Sequence, residues 1–426
     1  MAKVLSGIVV LDLTRYFSGP QATLYLAALG ADVIKIDDPS TGDPTAFSPP
    51  LAGPNGVSFQ RTSDGDMGIA YLKRARGKKS VGLDLKHPEG LAVFLKLVRS
   101  ADVVIDNFSC GVADRLNIGY ESLVKENPAI IYCSLTGYGA TGSDRNLKAY
   151  DLMVQAAAGM MSITGDPNGP PVKAGSPISD AIAGVFAASG ILAALLHRDK
   201  TGEGQAVDVS MADCLFSLMF DEPFDCYQDL GLPQRQGNRI MRFSPFNAYQ
   251  SRDGWIVAGA ATAQDWLALL KVMDREDLTD DPDFSRLSWR LANNAVVDEL
   301  VGNWVRQHSS TEAIERLNLA KIPCSPVRDI KDVMQWKQLH DREMIMPLYN
   351  PMARTEVPAR APGFPIKFGA TPATYEAPAP LPGQHSREVL TTLAMLPPGE
   401  FERLVELGIT SHCSPNPPFG AARSDT

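Results

Sequence analysis

Two aspartates and one glycine run are the residues of this chain whose types and spacing could do chemistry. Asp180 lies in Pro177-Ile178-Ser179-Asp180-Ala181, just ahead of a long stretch of small apolar residues. Its plain structural reading is a helix cap or first-turn carboxylate, which the helix dipole favours. Its chemical reading is a carboxylate nucleophile. The helix N-terminus would keep it ionised and stabilise charge developing on an acyl oxygen. Asp151, in Lys148-Ala149-Tyr150-Asp151, is a second carboxylate with the same pair of readings, a cap or a partner in catalysis. Gly137-Tyr138-Gly139-Ala140-Thr141-Gly142 has the spacing of a dinucleotide-binding turn. The context does not fit one. Ser143-Asp144-Arg145-Asn146 follows instead of an apolar helix face, and Asp166 lies in a Gly/Pro turn. The run reads as a turn that lets the backbone approach something closely. The densest basic run, Lys73-Arg74-Ala75-Arg76-Gly77-Lys78-Lys79, is by composition a solvated loop, with an anion contact as the alternative.

These residues sit in a chain of 426, with 44% hydrophobic and 21% charged residues. Such usage is globular, and at roughly 150 residues per domain the length suggests two or three domains. The 49 acidic residues outnumber the 40 basic ones, for a net charge of -9. That argues against nucleic-acid binding, which needs basic stripes to displace counterions. Cys110, Cys133, Cys214, Cys226, Cys324 and Cys413 show no CxxC spacing and no histidine at zinc-ligand offsets. They read as reduced thiols, with no metal site. The first apolar run is too short for a signal peptide, and Ala181 to Leu196 falls short of a membrane span. A cytoplasmic protein without a membrane segment is expected.

The elements that must carry the two aspartates follow a strand–helix rhythm. Strands are expected at Ile8–Leu13, Val33–Ile36, Val103–Ile105, Ala129–Leu135 and Ala206–Val209, and helices at Pro20–Leu29, Gly90–Val98, Ala181–His197 and Met211–Phe220. That is an α/β fold with a mostly parallel sheet, and ligands belong at the carboxyl ends of its strands. A smaller α+β unit is expected at 246–319, with a strand at Trp255–Ala258 and helices near 266–272, 294–307 and 311–319. Residues 354–382, rich in Pro and Ala, read as extended covering structure, and 386–394 and 400–407 as short helices. Pro415 to Thr426 reads as a loose tail.

Leu11-Asp12-Leu13-Thr14, Ser18-Gly19-Pro20, Leu29 to Lys35, Gly42-Asp43-Pro44-Thr45, Lys78 to Lys86, Asp106-Asn107-Phe108, Lys200 to Gln205, Asp253-Gly254-Trp255 and Ile322-Pro323-Cys324 occur in that order. Together they resemble the family III CoA-transferases (CaiB/BaiF), the group of formyl-CoA transferase, carnitine CoA-transferase and α-methylacyl-CoA racemase. The resemblance implies a Rossmann-like large domain built from both chain ends, 1–200 and 321–426, and a small domain at 246–319. Residues 201–245 and about 320 would connect them. It also implies an interlocked homodimer, or a heterodimer with a homologous subunit.

In the transferases the nucleophile heads a helix that ends in a Gly-Ile-Leu-Ala-Ala-Leu run. Here that run is Gly190 to Leu195, so the role falls on Asp180. Tyr16, Phe17, Ser18, Leu83, Lys86, Asn107, Phe108, Arg115, Lys148 and Tyr150 match the family's CoA-contacting segments. A diphosphate and a 3′-phosphate need cations, and an adenine needs an apolar slot. The implied activity passes CoA from an acyl-CoA such as succinyl-CoA to an organic acid, through aspartyl anhydride and aspartyl-CoA thioester intermediates. It requires no cofactor. The glycine turn is a candidate part of the cover that excludes water from the anhydride.

Two activities of the family fit less well. Racemases place His-Asp where this chain has Tyr150-Asp151, which removes one of the two acid/base groups that racemisation needs. Formyl-CoA enzymes place Gln at Phe17 and a four-glycine run in the small domain, absent between Gly237 and Tyr249. Oxalate is therefore not the expected acceptor. Ala46 stands where many members carry Arg. Arg145, Arg239 and Arg242 are candidate grips for an acid substrate, and Met160, Met161 and Met241 candidate pocket walls. A racemase, or a non-catalytic CoA-binding subunit of a heteromeric transferase, is the alternative.

Overall fold

The structure is a computed structural model in which residues 3–412 are described. Its frame is a sheet of β1 (Val9–Asp12), β2 (Asp32–Asp37), β3 (Lys78–Leu83), β4 (Val103–Asp106), β5 (Ile131–Thr136), β6 (Ala206–Ser210) and β7 (Thr410–Ser411). The order is β7-β3-β2-β1-β4-β5-β6. All neighbours are parallel except β7, which runs antiparallel along the edge of β3. Strands buried on both faces read as unbroken apolar runs, and Val103-Val104-Ile105 is fully buried. Strand order reverses between β1 and β4. In open α/β sheets that reversal leaves a crevice at the carboxyl ends.

The helices that concern the crevice are α1 (Ser18–Ala28), α2 (Pro88–Arg99), α3 (Asp151–Ala157), α4 (Ile178–Thr201) and α5 (Met211–Met219). Phe94 and Leu97 of α2 pack with Leu11, Ile34, Val81 and Val104 of the sheet, and Val389, Leu390, Phe401 and Leu404 from the far end of the chain close the same core. In α4, Ala183, Gly184, Ala187, Ala188 and Ile191 form the buried face. A Cβ on Gly184 would lie 2.7 Å from the Ser18 carbonyl oxygen, so only glycine lets α4 come this close to the start of α1. α4 is 24 residues long and, among the described residues, the one helix long and apolar enough to cross a membrane. Its small-residue face is instead packed inside the fold, while Val185, Phe186 and Leu196 stay exposed.

The chain forms two compact units. Among the described residues the first comprises 3–158, 175–221 and 338–412; the second comprises 159–174 and 222–337. These bounds differ from those expected at 200, 246 and 321. Val207 and Val209 of β6 pair with Cys133 and Leu135 of β5, which ties 206–219 to the large sheet and not to a connection. In the second unit, Phe246–Gln250, Trp255–Gly259 and Cys324–Pro326 form an antiparallel sheet. Helices Ala263–Val272, Asn294–Val305 and Ser310–Leu319 cover it through Trp266, Leu269, Val297, Val301 and Leu317. Part of the stretch expected to be extended cover is a hairpin, Ile345–Asn350 with Thr355–Pro362. Its Asn350 donates to the Ala52 and Gly65 carbonyls at 2.8 Å each. Cys413 and the tail from Pro415 lie outside the described residues.

Below the crevice lies a fully buried ionic cluster. Lys78 donates to Asp12 at 3.0 Å, to Thr23 at 2.6 Å and to the Pro20 carbonyl at 3.1 Å. Asp12 also accepts from the Thr14 amide and hydroxyl and from Thr23. Lys35 donates to the Thr14 carbonyl at 2.7 Å and pairs with Asp37 at 3.0 Å and Asp43 at 2.9 Å. Burial alone would raise the Asp12 carboxyl, but Lys78, Lys35 and the two hydroxyls hold it below the ordinary range. The basic run is therefore no solvated loop: Lys78 and Arg76 are buried, and Lys78 begins β3.

Asp12→Ala strands the Lys78 ammonium in the core, at a cost of about 3–5 kcal/mol. The expected result is a clear fall in the urea unfolding midpoint, with partial recovery in Asp12→Ala/Lys78→Met; an unchanged midpoint in the single variant would contradict this account of the cluster.

Candidate active site

The loop after β1 and the loop after β4 face each other across the point where strand order reverses. Asn107 joins them: its side-chain oxygen accepts the Arg15 N–H and its amide donates to the Arg15 carbonyl, both at 2.8 Å. Tyr16, between Arg15 and the start of α1, has φ +68°, a left-handed conformation disfavoured for a bulky side chain. Strain of this kind persists only where the surroundings enforce it. Here the Asn107 clamp on Arg15 and Lys35, bonded to the Thr14 carbonyl, hold the two residues that lead into Tyr16. Gly19 completes the turn, since a Cβ there would meet the Thr14 side chain at 2.3 Å.

A crevice of about 350 Å³ opens at this point, lined by Tyr16, Ser18, Asn107, Phe108, Arg145, Lys148, Tyr150 and Asp180 among others. Asp180 is the third residue of α4, and Ser18 the first of α1. Two helix N-termini thus converge on the same space, and both favour negative charge there. Burial pushes the Asp180 carboxyl up to about 6, and the charge of Asp151 adds to the rise; the Ser18 hydroxyl and the Arg74 guanidinium pull it back. At neutral pH the group is still largely ionised, and it is more basic than an ordinary carboxylate.

Asp151, expected beside Asp180 as a catalytic carboxylate, has both oxygens engaged. One accepts the Ser179 amide at 2.9 Å and hydroxyl at 2.6 Å, and the other accepts from Gln155 at 2.6 Å. Pro177 precedes α4 and has no side chain to cap it with. Asp151 supplies that cap from a different helix, which makes it a positioning residue for Asp180.

The glycine run is a turn, with Gly139 and Gly142 at positive φ. What its backbone approaches is the chain itself. A Cβ on Gly137 would lie 2.2 Å from that of Ala149, and the Ala140 N–H is held by the Asp208 carboxylate at 3.0 Å. This contact sets Lys148 and Tyr150, the neighbours of Ala149, on the crevice wall.

The other expected CoA contacts are distributed. Arg115 lines an adjoining crevice of about 560 Å³ that shares Phe108, Ser109, Cys110, Thr136 and Arg145 with the first. Phe17 lies beneath the Arg74 guanidinium, 4.8 Å from its ring centroid. Leu83 and Lys86, at the end of β3, line neither crevice: the Leu83 side chain is part of the sheet core and Lys86 is exposed. Of the arginines offered as substrate grips, Arg239 is paired with Asp298 at 2.8 Å and Arg242 with Glu222 at 2.6 Å, which leaves Arg145 at the crevice. Met160, Met161 and Met241 belong to the second unit. Sequence reasoning did not single out Arg74 as a site residue; its only signal was the density of the basic run.

A profile of CoA-transferase family III matches residues 5–386. The chain is 36% identical over 393 residues to a succinyl-CoA:mesaconate CoA-transferase of Haloarcula hispanica, covering 91% of this chain and 95% of that protein. It is 34% identical over 394 residues to a succinate–glutarate CoA-transferase of Agrobacterium fabrum, with the same coverage of 91% and 95%. The crystal structure of a CaiB/BaiF family protein from Brucella suis superposes with a TM-score of 0.78 at 29% identity, over 92% of this chain and all of that one. With the fold, the crevice and these likenesses in agreement, the chain belongs to CoA-transferase family III.

Proposed function

We propose that this enzyme moves CoA from succinyl-CoA to an organic acid, with Asp180 as the nucleophile. The observation that carries the reading is the placement of Asp180. It is a partly buried carboxylate at the meeting of two helix N-termini, on a crevice at the strand-order reversal of a Rossmann-type sheet. The succinyl-CoA donor is suggested by the names of the two relatives.

In the first step the Asp180 carboxylate attacks the thioester carbonyl. The C–S bond breaks, CoA leaves as thiolate, and an aspartyl–succinyl anhydride remains. The thiolate then attacks the aspartyl carbonyl and expels succinate, leaving an aspartyl-CoA thioester. The acceptor carboxylate repeats the sequence in reverse, and Asp180 is regenerated. Charge developing on each attacked oxygen is stabilised by the dipoles of α1 and α4 and by the Ser18 hydroxyl. Acyl energy stays in a thioester or anhydride throughout, so the scheme draws on no ATP, metal or redox group. Lys148, Arg145 and Arg115 supply cations for the CoA phosphates, and Tyr16 and Tyr150 apolar surface for the base. Among the described residues no histidine lines either crevice, which weighs against the racemase reading.

The enzyme is further proposed to work as an interlocked homodimer. Phe186 and Leu196 of α4, and Phe216 and Leu218 of α5, are exposed apolar residues that a second copy would cover.

The test is CoA transfer from succinyl-CoA to a panel of organic acids, followed by chromatography of the acyl-CoA products. Asp180→Ala should lose activity on the order of 10⁴-fold while still binding CoA. A variant that keeps a tenth of wild-type activity would sink the nucleophile assignment. Because the ionised form attacks, kcat/KM should be flat above neutrality and fall about tenfold per pH unit below about 6. A profile level down to pH 4 would contradict the raised Asp180 carboxyl. Light scattering of the purified chain should give the mass of two copies, and a monomer would refute the dimer.

A further inference from the structure

The basic run from Lys73 to Lys79 holds three cations whose partners are close at hand. Lys78 is bound by Asp12, Thr23 and the Pro20 carbonyl. Arg76 donates to the Lys73 and Pro362 carbonyls and stacks on Tyr375 at 4.2 Å. Lys79 pairs with Asp32 and Glu388. Arg74 is different. It ends the helix Ile69–Arg74, its guanidinium lies over the Phe17 ring, and its buried Nε meets no hydrogen-bond partner among the described residues. Stacking fixes the plane of the guanidinium without using its N–H donors.

Two carboxylates lie within its field, Asp43 and Asp180. Asp43 is already engaged, by Lys35 at 2.9 Å and by the amide and hydroxyl of Thr45 at 2.7 Å each. Asp180 is the proposed nucleophile and faces Ser18, the residue next to Phe17. The arrangement is a guanidinium with an unused buried donor, held flat by the ring of Phe17 next to Ser18, and its charge acts on the carboxylate that would carry the acyl group. Leaving a buried donor of a charged group unpaired is unfavourable, and the natural complement of a guanidinium fork is a second carboxylate.

We propose that Arg74 is a specificity-determining residue that binds the free carboxylate of a dicarboxylic acyl group while its other carboxyl is joined to Asp180. The proposal rests on the transferase reading above. Arg74 then favours four- and five-carbon diacids and their CoA thioesters over monocarboxylic analogues of equal length. Its role is separate from that of Arg115 and Arg145, which serve the CoA phosphates.

The experiment compares succinyl-CoA with butyryl-CoA as donor to one acceptor acid, in wild type, Arg74→Met and Arg74→Lys. Methionine keeps the apolar stem over Phe17 and removes the fork. In Arg74→Met the ratio of kcat/KM for succinyl-CoA to that for butyryl-CoA should fall about 10–100-fold, mostly through KM for succinyl-CoA. Arg74→Lys, which retains charge without the fork, should keep part of the ratio. Equal losses on both donors would mean that Arg74 acts only on Asp180 or on folding, and would overturn the proposal. Calorimetric titration of succinate and butyrate into the CoA-loaded protein reads the same contact without turnover. A preference for succinate that vanishes in Arg74→Met supports the proposal even if no transfer is seen, whereas equal binding of the two acids by wild type overturns it even if the enzyme is an active transferase.

Discussion

The ionic cluster of Asp12, Lys78, Lys35 and Asp43 is the constraint on which the site depends. It joins the last residue of β1, the middle of β2, the first residue of β3 and the loop after β2, and its members come from segments far apart in sequence. Removing charges from water is unfavourable, so such a cluster persists only when nearly every lone pair and proton finds a partner. Meeting that requirement consumes the Thr14 amide, hydroxyl and carbonyl, the Thr23 hydroxyl and the Pro20 carbonyl. These groups flank Tyr16, Phe17 and Ser18. The loop at the strand-order reversal is therefore held from below by charge and from the side by Asn107. With it fixed, the start of α1 has one position, and Gly184 lets α4 dock against it.

Asp180 inherits its environment from that docking. Its burial opposes ionisation, the nearby Asp151 charge opposes it further, and Ser18 and Arg74 act in the other direction. The balance leaves a carboxylate that is mostly charged at neutral pH yet poorly solvated, which suits a nucleophile. Asp151 does two things at once. It caps α4 and so fixes the position of Asp180, and its charge raises the Asp180 carboxyl. Neither requires it to touch a substrate.

Much of this was legible in the residues, and the exceptions have physical causes. The strands of the large sheet are apolar runs or simple alternations, and helices such as α2 begin with a cap and proline, His87-Pro88. β3 is harder to see, because Lys78-Lys79-Ser80-Val81-Gly82-Leu83 opens with two lysines and reads as a surface run. Only the distant Asp12 makes burial of Lys78 affordable. Leu83 fits the family's CoA-contacting segment, yet strand alternation turns its side chain into the core. Asp180 is visible as a first-turn carboxylate, but its chemistry depends on Ser18 and Arg74, more than a hundred residues earlier. The capping role of Asp151 is equally non-local, since it serves a helix 27 residues on. The hairpin Ile345–Asn350/Thr355–Pro362 hides behind prolines that suggest irregular chain.

The central claim is that the acyl and CoA groups pass through the Asp180 carboxylate. The most direct measurement follows oxygen. Wild-type enzyme is turned over with succinyl-CoA and succinate labelled with oxygen-18 in both carboxylates, then digested and mapped by mass spectrometry. In the proposed route the labelled carboxylate attacks the aspartyl thioester, and the bridging oxygen of the anhydride remains on Asp180 when CoA departs with the acyl group. The peptide containing Asp180 should therefore become heavier by one and then two oxygen-18 atoms, only when CoA thioester is present, with no other peptide labelled. Sustained exchange of label between succinate and succinyl-CoA with an unlabelled Asp180 peptide would contradict the account.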